Sequence, residues 1–67
     1  MSMEGKEIRK LMEDAEQDIE ADDLREAGEK LGRAMQIAKN VGNEELVKQI
    51  WVSLENLRTV LKYSQLS

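Results

Sequence analysis

Apolar residues recur along this chain in three separate runs spaced by threes and fours, the pattern of an α-helix buried on one side. In the first run, Ile8, Leu11, Met12, Ala15 and Ile19 make one narrow stripe, and the remaining faces are charged. The second run is Leu24, Ala27, Gly28, Leu31, Ala34, Met35 and Ala38. Large residues alternate there with small ones, so another helix can approach closely at Ala27, Gly28 and Ala34. This segment is expected to be the central partner, with one helix before it and one after. In the third run, Leu46, Val47, Ile50, Leu54, Leu57 and Leu61 define a core side. Counted at about 100° per residue from Leu46, that side centres near roughly 50°, whereas Val52 and Tyr63 point to roughly 240–260°. Trp51 lies on the flank, so the third segment is apolar on more than one side and the first is not.

The residues between the runs supply stops and starts. Gly5 frays the first turn of a helix predicted over 3–21. Asp23, followed three residues later by Glu26, reads as a capping-box-like start for a helix over 23–40. Gly42 can take the left-handed conformation that closes that helix, and Asn43 can cap the next, over 44–63. Glu44 and Glu45 suit its first turn. Turns this short make consecutive helices antiparallel neighbours. The chain is therefore expected to be one all-α domain, residues 1–67, folded as an antiparallel three-helix bundle. Its expected core is Ile8, Leu11, Ala15, Ile19, Leu24, Ala27, Leu31, Ala34, Ile50, Leu54, Leu57 and Leu61; the tail after Tyr63 carries no strong signal.

Composition narrows the function. Proline is absent from the 67 residues and the only aromatics are Trp51 and Tyr63, which suits long helices and excludes a turn-rich sandwich or barrel. So small a core is marginal alone and is a candidate for stabilisation by self-association. A net charge of −4 and an isoelectric point near 4.8 argue against direct contact with a nucleic-acid backbone. With no His and no Cys, Ser/His and Cys/His nucleophilic sites, disulfides and ordinary zinc ligation are ruled out. No catalytic residue, cofactor or metal site is expected, and Gly28 and Gly32 lie inside a helix rather than in a phosphate-binding loop. The first residues contain no apolar run fit for a signal peptide, and no stretch is long enough to cross a membrane, so the expected location is the cytoplasm.

The charge is uneven. Glu13, Asp14, Glu16, Asp18, Glu20, Asp22 and Asp23 follow one another with no basic residue between Lys10 and Arg25. Asp14, Asp18 and Asp22 are four apart on one flank, which in principle suits loose binding of a hard cation. A carboxylate-bridged metal site would also want Glu-x-x-His, and a solvated helix face is the better reading. An acidic patch at Glu13, Glu16 and Glu20 could instead engage a basic protein surface.

Asp22-Asp23-Leu24, followed by Ala27, Leu31, Ala34, Met35 and Ile37, resembles the second helix of a tetratricopeptide (TPR) repeat, in which Gly-Asp-Tyr precedes alanine and leucine positions at these spacings. Leu11 and Ala15 suit the preceding helix, and Leu54, Leu57 and Leu61 the opening helix of a second repeat, about one and a half repeats in all. The resemblance implies that Ile37 packs on the next repeat and that Val52 and Tyr63 line a concave ligand face. The chain departs from the family at Asp14 and Asp18, where large apolar and aromatic residues belong, at Lys39 in the usual proline position, and at Arg58 in a small-residue position. The chain is also similar in general type to the microtubule-interacting-and-transport (MIT) domain, another short three-helix bundle.

Two functions follow as expectations. The first is a non-enzymatic, TPR-like protein–protein interaction module that self-associates, with a dimer favoured, and docks a partner helix or peptide on its third helix through Trp51, Val52, Tyr63 and Ile37. The second is an acidic decoy or inhibitor that binds a basic, nucleic-acid-binding protein through the first helix.

Overall fold

In a computed structural model, residues 3–66 are described, with side chains described for 5–64. Three helices follow one another, α1 (Met3–Glu20), α2 (Leu24–Val41) and α3 (Glu44–Leu66), and the described residues contain no strand. The chain is an all-α three-helix bundle in which α2 packs on both neighbours, while α1 and α3 meet only marginally.

Both turns close a helix in the same way. Gly42 sits at φ 70°, and the Asn43 amide reaches back to the Ala38 carbonyl at 3.0 Å. That is the left-handed closure that glycine favours. At the end of α1 the residue in that conformation is Asp22, at φ 63°, and the Asp23 amide donates to the Asp18 carbonyl at 2.7 Å. The starts differ. Asn43 Oδ1 accepts from the Leu46 amide at 3.2 Å, capping α3. The capping box expected at Asp23 and Glu26 does not form. Asp23 makes no side-chain cap bond. Its amide is engaged in closing α1, and its carbonyl accepts from the Ala27 amide at 3.2 Å.

The buried core is Ile8, Ala15, Ala27, Leu31, Ala34, Ala38, Leu46, Ile50 and Leu57. Leu11, Ile19, Leu24 and Leu54 are half-buried against it. Small residues on α2 let its neighbours come close. A Cβ added at Gly28 would lie 3.5 Å from Leu57 Cδ2, an ordinary contact. Gly28 on α2 thus lies level with Leu57 on α3. Four residues past Leu57, Leu61 is level with Leu24, where α2 begins, so little remains to cover it. Leu61 is 41% exposed rather than core.

α3 also runs further than expected, to Leu66, and its 23 residues exceed the 18 of α2. At about 1.5 Å per residue α3 is about 35 Å long. The molecule measures 44 Å along its longest axis.

Candidate interaction surface

α3 has a buried side set by Leu46, Ile50 and Leu57, which belong to the one core cluster shared by the three helices. Because α1 scarcely reaches α3, the rest of the helix surface stays open. Six large apolar side chains are exposed among the described residues, and five of them, Trp51, Val52, Val60, Leu61 and Tyr63, are on α3. The sixth, Val41, ends α2 beside the turn into α3.

The four side chains expected to bind a partner do not form one patch. Val52 and Tyr63, 62% and 69% exposed, lie within about 20° of each other on the helix and about 16 Å apart along it. Trp51, 53% exposed, is turned roughly 100° away from Val52. It lines an open cleft beside the α2–α3 turn with Lys39, Val47 and Lys48. Ile37 is half-buried against the chain's own core. Leu61 is a surface residue that periodicity alone does not reveal, because it lies on the core side of α3 and is exposed only where α2 begins.

No family model, curated protein or solved structure matches this chain.

The acidic side of α1 is partly committed. Asp18, expected to be solvated, is half-buried, and its Oδ2 accepts from Lys30 Nζ on α2 at 2.7 Å. That hydrogen bond, aided by the charges of Asp18, Asp14 and Glu26, raises the Lys30 pKa above its ordinary value, against a smaller opposing effect of desolvation. Asp14 is half-buried on the same flank. Glu13, Glu16 and Glu20, by contrast, are exposed and make no ion pair among the described residues. Glu13 and Glu16 border a shallow groove between α1 and α3 with Arg9, Met12 and Gln49. Among the described residues no three carboxylates come together as a metal site, and no helix is long and apolar enough to cross a membrane.

Proposed function

We propose that this chain is a non-enzymatic protein–protein interaction module, TPR-like in design, that self-associates and docks a partner helix or peptide through α3. The observation that carries the reading is the concentration of exposed apolar side chains on that one helix. Exposed aromatics on a polar surface are typical contact anchors, and Tyr63 and Trp51 are the only aromatics in the chain. Val52 and Tyr63 project from the side of α3 away from its buried residues, so the bundle does not use them. Sedimentation equilibrium of the wild type and of the Val52→Glu/Tyr63→Lys double variant tests this. The wild type associates, and the double variant raises the dissociation constant about tenfold or more, a difference of about 1.4 kcal/mol or greater. Equal association by both would remove these residues from the interface.

A second reading has its own support. Glu13, Glu16 and Glu20 are exposed and unpaired on a helix with seven acidic and three basic residues, which suits an acidic decoy that occupies the basic site of a nucleic-acid-binding protein. Charge-led binding of this kind weakens steeply with added salt, whereas apolar docking on α3 does not.

A further inference from the structure

Beside Val52 on the open side of α3 stand four exposed charged residues, in the order Glu44, Lys48, Glu55, Lys62. All four lie within about 40° of one another around the helix. None has an ion-pair partner among the described residues of its own chain. The signs alternate, and they are complementary about Val52. Glu44 and Lys48 precede it by eight and four residues, while Glu55 and Lys62 follow it by three and ten.

A second copy of α3, reversed about a two-fold axis at Val52, brings Glu44 level with the partner's Lys62 and Lys48 level with the partner's Glu55, to within about 3 Å along the axis. Such an axis lays the same flank of each helix against the other, so symmetry turns these two pairs into four. A parallel arrangement would instead set this flank against the one at roughly 280–320°, where Gln49, Asn56 and Val60 offer no charge. In the antiparallel arrangement Val52 meets the partner's Val52 at the axis. Thr59 comes level with the partner's Glu45, and Tyr63 with the partner's Val41 beside its α2–α3 turn.

We propose that two copies of this chain pair antiparallel along the open face of α3, about an axis at Val52, and that the four flank pairs set direction and register. The proposal rests on the self-association reading above and adds its geometry. Two helices overlapping over residues 44–60 touch along about 25 Å. That is a small contact beside the roughly 800 Å² per partner of a standard interface, so the dimer is weak and its population follows concentration.

The chain has no cysteine, so single-cysteine variants report the register directly. Helices packed 8–10 Å apart hold facing Cα atoms within disulfide reach at the axis, and Val52 and Thr59 are both exposed, so replacing them leaves the core intact. Under a mild thiol oxidant at about 0.5 mM protein, Val52→Cys should cross-link to a dimer at least about tenfold faster than Thr59→Cys. The two Thr59 positions would be about 21 Å apart along the axis. Equal cross-linking of both variants would mean a parallel pair and would overturn the proposal. A wild type that sediments as a dimer while Val52→Cys fails to cross-link would place the interface elsewhere, overturning the geometry and leaving self-association standing. A wild type still monomeric at about 1 mM would remove both.

Discussion

Asp22 and Gly42 occupy the same left-handed position at the ends of their helices, one with a side chain and one without. A Cβ in that conformation costs roughly 1–2 kcal/mol, less for Asp and Asn than for other residues. Gly42→Ala should therefore destabilise the fold by about 1 kcal/mol from backbone strain alone, because nothing stands within 4 Å of the added atom. Asp22→Gly should stabilise it by about 0.5 kcal/mol, the relief being offset in part by the freer unfolded chain. Urea melts of the two variants check both signs. Gly42 and Asn43 were legible in advance because closure and capping are local chemistry. The Asp23–Glu26 box was not, because the Asp23 amide belongs to the closure of the preceding helix.

The Asp18–Lys30 pair was equally hidden. It joins residues twelve apart across two helices, and nothing local to either announces it. Its contribution has a definite pH window. A Lys whose folded pKa is raised contributes stability that is fully present below its unfolded pKa, near 10.4, and is lost as pH rises through the higher folded value. The wild type should lose stability more steeply than Lys30→Met as pH rises through that alkaline range, and the two should run parallel between pH 7 and 9. Melts at fixed urea across pH 7–11.5 read the difference.

At the scale of elements, α2 is the helix that everything touches. Leu31 is fully buried between its neighbours, and Leu54 on α3 is only half-buried. Leu31→Ala should cost about 2–4 kcal/mol, and Leu54→Ala less, about 1–2 kcal/mol. A larger loss at Leu54 in denaturant melts would mean that α3 is more deeply packed than its contacts imply. The central role of α2 could be read from its alternation of large and small residues. The exposure of Leu61 could not, because it depends on the relative lengths and register of two helices. α1 presents the opposite case. Its narrow apolar stripe is used up inside the bundle, and its outer faces are charged. Reversing Glu13, Glu16 and Glu20 to lysine should leave the helical circular dichroism unchanged, because all three are exposed. Where a basic partner is in hand, unchanged affinity of the triple variant would rule out the decoy reading.

At the scale of the whole molecule, the division between α1 and α3 matters more than any one contact. α1 carries seven acidic and three basic residues, whereas α3 carries three of each. The first arrangement repels its own copies, and the second can pair with itself. α1 meets α3 only marginally, so the exposed apolar residues of α3 remain open to another chain. Periodicity predicted that α3 has a second apolar side. It also set Trp51 apart from Val52 and Tyr63, but it did not show that Ile37 is half-buried against the chain's own core, since that follows from packing between helices.

If α3 is the contact surface, its amides must sense a second copy. Backbone amide shifts of the ¹⁵N-labelled chain, followed from about 20 μM to about 1 mM, cover the range in which a small helix–helix contact should populate its dimer. Progressive shifts are expected along α3 at Lys48, Val52, Glu55, Thr59 and Tyr63, with Glu13, Glu16 and Glu20 unmoved. Shifts confined to α1, or none anywhere up to 1 mM, would contradict an α3 contact surface.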